Sequence, residues 1–486
     1  MTPSLVMQSN LLQRLSFSLF KPVDISFLVF FRIVFGAIMS WEVYRYLTHA
    51  WISRYYIEPL INFTYYGFSW VRPWPGRGMY YHFYALGILA VCILLGFFYR
   101  IAATLFFFGF TYLFLLDQTR YLNHVYLIVL LSFLLIFVPA ERALSIDCLI
   151  RPKLRSNVVP AWTLWLLRAQ IGIAYFYGGI AKLSSDWLHG EPMRMWFTPF
   201  VNIPLFGVFF KQEWVLYGFV IGGLLFDLLV VPLLLWRRTR LIAYVVAVMF
   251  HLFNAVFFQI GIFPWFMLLA TLIFFPPDLM RRVMRAIAAK PGTPESRLWQ
   301  NADDKQRLPV PTDTAIRALS RREKVVLVML TLYVGFQLIF PLRHLAYPGE
   351  VNWTEEGHNF SWHMKLRTKA AQACFTVSHP ASGKTWTIDP LVYIGSRQLA
   401  KMATHPDMVL QFSHYLAEEK RREGYENVEV RALVLASLNG RKPQLMIDPT
   451  VDLAKERISL WPAHWILPLT EPLPPPGSAG PQEIEE

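Results

Sequence analysis

The feature that most constrains the fold is a succession of nine apolar runs, each close to the length that crosses a bilayer. They fall at 24–46, 80–98, 101–116, 123–139, 160–183, 214–235, 241–258, 261–277 and 325–341. A helix rises about 1.5 Å per residue, so about 20 residues cover roughly 30 Å of hydrocarbon. The chain is 55% hydrophobic over 486 residues, too apolar for a soluble protein of this size. The expected fold is an α-helical polytopic membrane protein of about nine spans. No clear cleavable signal precedes the first run.

Orientation follows from the basic residues, whose excess gives a formal net charge of +13. The segment 278–324 carries Arg281, Arg282, Arg285, Lys290, Arg297, Lys305, Arg307, Arg317, Arg321, Arg322 and Lys324, and reads as cytoplasmic. Alternation then places Arg237, Arg238, Arg240, Arg142, Arg151, Lys153, Arg155 and Arg100 on the same side. The predicted arrangement has a cytoplasmic N-terminus and an extracytoplasmic C-terminal domain, in a multi-pass protein of the bacterial inner membrane type. The basic excess is spread over alternate loops, and no nucleic-acid partner is expected.

After residue 341 the composition turns polar. ACFTVSH, KTWTI and VEVRALVLAS read as strands, and MVLQFSHYLAEEKRREG as one amphipathic helix. The predicted division is a helical domain at 1–341, a β-rich α+β domain at 342–470 and a disordered tail at 471–486. Cys92, Cys148 and Cys374 are too few and too scattered for a disulfide framework or a zinc site, and no metal is expected. A thiol–quinone oxidoreductase would need paired cysteines that the sequence lacks.

Ionisable groups within apolar runs need partners or functions. Arg32, Arg168 and Asp227 each lie eight or nine residues from the expected inner end of a run, roughly 12 Å deep at about 1.5 Å per residue. They are expected to form a buried Arg–Asp–Arg network. A second set faces the other way: His124 in DQTRYLNHVYL, Lys182 in YFYGGIAKLSSDWLHGEPM, and His251 with Asn254 in FHLFN. Each has a plain reading, as a snorkelling lysine or a packed histidine. Together they suit proton abstraction, because apolar surroundings disfavour an ammonium and a free amine is a base. A nearby imidazole can stabilise a developing anion, and the abundant aromatic residues can sandwich a flat, lipid-soluble ring.

These residues resemble the vitamin K-dependent gamma-glutamyl carboxylase family, within the wider horizontally transferred transmembrane-domain group. The matching strings are FRIVFGAIM, FFYRIAATLFF, FLLDQTRYLNHVYL, LRAQIGIAYFYGGIAKLSSDWLHGEPM, GGLLFDLL, FHLFNAVFFQIGIF, VNWTEEGHNFSWHMKL and DPTVDLA. The resemblance implies a lyase-class enzyme, with 1–341 as its catalytic domain and 342–470 as its substrate-binding domain. It would use O2 to convert vitamin K hydroquinone, or another reduced naphthoquinone, to its 2,3-epoxide. That reaction drives CO2 addition at the gamma carbon of a peptide glutamate. The implied partners are the bilayer, a glutamate-containing peptide or protein and the quinone. The resemblance assigns Lys182 as the base acting on the hydroquinone and His124 to the vicinity of the glutamate. It assigns His251 and Asn254 to the cavity, and Asn352, Trp353, Thr354 and Trp362 to glutamate presentation. Ala181 stands where vertebrate members carry a further lysine, so one lysine is expected to suffice. Two alternatives are a quinone epoxidase without peptide carboxylation and a non-catalytic membrane immunity or signalling protein. The C-terminal domain argues against the last, because small members of the group lack it.

Overall fold

The computed structural model describes residues 17–204, 207–258, 261–288 and 318–475. Most of the basic segment 278–324 and the expected tail from residue 476 lie outside these residues. The helical part contains α1 (Ser26–Thr48), α2 (Gly78–Leu95), α3 (Tyr99–Leu116), α4 (Asn123–Phe137), α5 (Trp162–Ala181), α6 (Glu213–Leu235), α7 (Arg240–Phe258), α8 (Phe263–Ala270) and α9 (Arg321–Ile339).

Six helices among the described residues are long and apolar enough to cross a membrane: α1, α2, α3, α6, α7 and α9 with its continuation to Ala346. The expected count of nine is therefore not reached on length and composition. Asn123–Phe137 and Phe263–Phe274 are apolar but short. α5 is 20 residues long but carries Arg168 and Gln170. The reason is placement. α4 and α5 bury most of their residues inside the bundle, so protein rather than lipid sets their length. The long helices keep apolar side chains on outward faces, such as Ile88, Val91 and Leu95 on α2 and Ile221, Leu225 and Leu229 on α6. Such faces belong in lipid.

Helix pairs α1–α2, α2–α3, α3–α4, α5–α6, α6–α7 and α7–α8 pack side by side, and α8 closes back on α1. α2 ends at Gly96, whose φ of 63° is left-handed. A Cβ there would strike the Arg32 guanidinium at 1.9 Å, so glycine is required on both counts. At this end of the bundle β1 (Pro22–Asp24) pairs antiparallel with β2 (Val158–Pro160). Arg281 Nε meets Asp24 Oδ2 at 2.6 Å, tying α1 to the chain after α8.

The C-terminal region carries an antiparallel sheet in the order β4 (Lys384–Ile388), β3 (Lys369–His379), β5 (Glu429–Leu438), β6 (Gln444–Leu445). Inward residues of β5 alternate as Val430, Ala432, Val434, Ala436 and Leu438. α10 (Ser396–Ala403) and α11 (Pro406–Arg422) accompany the sheet, and Phe375, Val377, Met408 and Phe412 share its core. This region is fastened to the bundle by the half-buried Asp186–Arg441 ion pair at 2.6 Å. Trp196 Nε1 also donates to Thr368 Oγ1 at 2.9 Å, and Gln398 Nε2 to Asp117 Oδ2 at 3.1 Å.

Candidate active site

Lys182 caps the C-terminus of α5, but it is not at a surface. The next segment folds into short helices, Ser185–Leu188 and Met193–Phe197, which pack on the first half of α6. Trp187 Nε1 donates to Val220 O at 3.0 Å. α6 therefore runs on beside and beyond the end of α5, and Lys182 lies level with Asp227. That residue is fourteen positions after Glu213, or about 20 Å along the helix at about 1.5 Å per residue.

Lys182 Nζ donates to Asp227 Oδ2 at 2.6 Å and to Gly178 O at 3.2 Å. The two side chains are 7% and 6% exposed, so amine and carboxylate are buried together. The Trp187 ring centre lies 5.2 Å from Nζ. Gly178 leaves the room: a Cβ there would sit 3.3 Å from Asp227 Oδ2 and 2.9 Å from Met364 Cε.

This corrects the expected network of Arg32, Arg168 and Asp227. Asp227 pairs with Lys182. Arg32 Nη2 instead donates to Leu144 O at 2.5 Å, while Arg168 donates to Ile273 O at 2.8 Å and Phe275 O at 3.1 Å. Counting depth from run ends fails because α5 and α6 do not end level.

Tyr175 lies seven residues before Lys182, on the same face of α5. Its hydroxyl and His251 Nε2 are 2.6 Å apart. His251 is 2% exposed, and its Nδ1 is buried with no protein partner. The Phe263 ring centre is 6.3 Å from that of His251 and 5.3 Å from that of His124. Phe226, beside Asp227, lies 5.8 Å from Tyr175 and 6.2 Å from His251, centre to centre. Lys182, Asp227, His251 and His124 thus share one aromatic-lined neighbourhood. Asn254 is half-buried one turn beyond His251.

A strap from the C-terminal region enters the same place. Phe360 N donates to the Tyr121 hydroxyl at 2.6 Å, and Asn123 Nδ2 donates to His363 O at 3.0 Å. Trp362 packs 5.1 Å from Tyr126, in the core of the helical bundle. Glu355, Phe360, Trp362 and Lys365 have φ of 65°, 65°, 60° and 51°. Four left-handed non-glycine residues in one strap are the kind of strain that persists where the surroundings over-determine the backbone. The four residues expected to act together are divided. Asn352, Trp353 and Thr354 form a buried turn, with Trp353 Nε1 donating to Leu467 O at 2.8 Å in the C-terminal core. Only Trp362 reaches the bundle.

Sequence reasoning missed Glu355. Its carboxylate, 5% exposed, pairs with Arg367, and Lys369 Nζ lies 3.2 Å away. His405 Nε2 and His358 Nδ1 follow at 3.6 Å and 3.8 Å. Burial pushes the Glu355 carboxyl up, but Arg367, His405, Lys369 and Lys401 outweigh it and bring it to about 2. Burial first, then neighbouring cations, holds His358 well below the ordinary imidazole value and His363 at about 3, and burial holds His405 well below it against the pull of Glu355.

These shifts set a pH dependence. The unfolded histidines titrate near about 6.5, so below that pH the unfolded chain binds more protons and stability falls. The Glu355 contribution is present above about 4.3 and is lost as pH falls through about 2, which has the same sign. Asp407, raised by burial to about 6, acts in the opposite sense, as do the raised carboxyls of Asp117, Glu191 and Glu356, but the three histidines are displaced furthest. The melting temperature of the purified protein is expected to fall between pH 7.5 and pH 5. A flat or rising profile contradicts this.

Two family models match the chain. The HTTM domain covers residues 20–279, and the vitamin K-dependent gamma-carboxylase, lumenal domain covers residues 322–472. No solved structure matches.

Proposed function

We propose that this chain, which belongs to the vitamin K-dependent gamma-glutamyl carboxylase family, is a membrane carboxylase driven by quinone epoxidation. Overall, hydroquinone, O2, CO2 and a peptide glutamate become the 2,3-epoxide, water and gamma-carboxyglutamate. The observation that carries the reading is one amine, Lys182, buried with its counter-charge in an aromatic-lined neighbourhood that the C-terminal strap also enters. In this reading the Lys182 amine takes a hydroxyl proton from the hydroquinone. The ammonium so formed stands beside Asp227 rather than alone in apolar surroundings. His251, whose Nε2 is occupied by Tyr175, offers Nδ1 to a ligand oxygen. Phe263 and Phe226 supply apolar faces for the ring. His124 and Asn254 line the approach. Trp362 stands where a glutamate side chain would be brought down the strap, and Asn352, Trp353 and Thr354 brace it from the C-terminal side.

An oxygen-isotope experiment tests this. With reduced naphthoquinone and 18O2, the epoxide oxygen is expected to carry the label. A folded protein that produces no labelled epoxide overturns the reading.

The same reading places the N-terminus in the cytoplasm and the domain after residue 341 outside it. In a background lacking Cys92, Cys148 and Cys374, Gln300→Cys is expected to resist an impermeant thiol reagent in intact cells, and Ala400→Cys to react. The reverse pattern overturns the orientation.

A further inference from the structure

We infer that Asp227 is the positioning residue of the Lys182 base, an assignment that rests on the reaction proposed above. A carboxylate in the middle of a 23-residue apolar helix is costly and demands a partner. From Glu213 to Leu235, Asp227 is the one acidic or basic residue after the first, and it meets Lys182 at 2.6 Å.

The geometry goes beyond neutralisation. A neutral lysine nitrogen has four tetrahedral positions: Cε, two N–H bonds and a lone pair. Asp227 Oδ2 and Gly178 O are both within hydrogen-bond reach of Nζ and can accept the two N–H bonds. The lone pair is then the remaining position, directed away from both oxygens. Asp227 therefore aims the base. When a proton arrives on that lone pair, the carboxylate is already in place to stabilise the ammonium, with no reorganisation. Gly178 belongs to the same device, since its bare Cα admits the carboxylate and its carbonyl fixes the second N–H.

The test is a double-mutant cycle on purified protein, reading epoxide formed from reduced naphthoquinone and O2. The variants are Asp227→Asn, Asp227→Glu, Lys182→Met and Lys182→Met with Asp227→Asn. Asp227→Asn is expected to lower kcat about 100-fold and KM by less than about 3-fold, the signature of an interaction that matters in the transition state. Asp227→Glu restores part of that loss, because a carboxylate is again present. In the Lys182→Met background Asp227→Asn costs nothing further, because its effect passes through the amine. A merely structural Asp227 would lower the melting temperature and leave kcat per folded molecule unchanged. That result overturns the inference, as does an equal loss with and without Lys182. If the unmodified protein forms no epoxide, the proposed reaction fails first. The pairing is then read from thermal stability, where the double variant must be more stable than Lys182→Met alone.

Discussion

Lys182→Arg is expected to give a folded protein that forms no epoxide above about one-hundredth of the normal rate, given what a positioned general base contributes. Arginine places a cation beside Asp227, so the buried carboxylate is not stranded. A guanidinium holds its proton in a protein and cannot act as a base. The substitution thus separates the charge pair from the base. Lys182→Ala does not separate them. It leaves Asp227 alone in apolar surroundings, at a cost of roughly 3–5 kcal/mol, and lost activity there could reflect lost fold. A folded Lys182→Arg protein with near-normal epoxide formation would place the base elsewhere, with His124 as the next candidate.

The second large effect is on stability. Glu355→Ala removes the carboxylate on which Arg367 and Lys369 converge, with His358 and His405 also beside it. Breaking a buried pair by deleting one partner costs roughly 3–5 kcal/mol. Lys369, held by burial at about 8, can shed its proton and soften this. Arg367 cannot. Denaturant unfolding of the purified protein should show a loss of several kcal/mol, larger than for Glu355→Gln, which keeps a hydrogen-bond acceptor. A change within about 1 kcal/mol, the range of an exposed pair, would mean that the cluster is solvated.

The helices and strands were legible because burial leaves a period: continuous apolar runs for α1 to α9, and alternation for β3 and β5. Lys182 was singled out by the expected topology, which put it on the same side as His124, and by the resemblance, since an amine closing an apolar run is unremarkable alone. Its partner was not legible. The sequence counts residues along each helix but does not say where neighbouring helices stand in depth. The short helices after Lys182 let α6 overshoot α5, and that offset moves Asp227 from the expected Arg168 level to the level of Lys182. The Glu355 cluster was hidden for another reason. Glu355, Arg367, Lys401 and His405 come from a turn, a strand approach, a helix and the link between two helices, with no shared periodicity. The resemblance put Trp353 and Trp362 in one group. The left-handed residues of the strap, which no residue type announces, send them into different cores.

The central claim is that one buried lysine centre couples quinone epoxidation to peptide carboxylation. The measurement that tests it most directly is a single reaction with purified protein, reduced vitamin K, O2, isotopically labelled bicarbonate and a glutamate peptide. Both epoxide and labelled peptide are quantified in the unmodified protein and in Lys182→Arg. The account predicts both products from the unmodified protein and the loss of both together in the variant. Labelled peptide that still forms in folded Lys182→Arg, or epoxide with no labelled peptide from the unmodified protein, would contradict it.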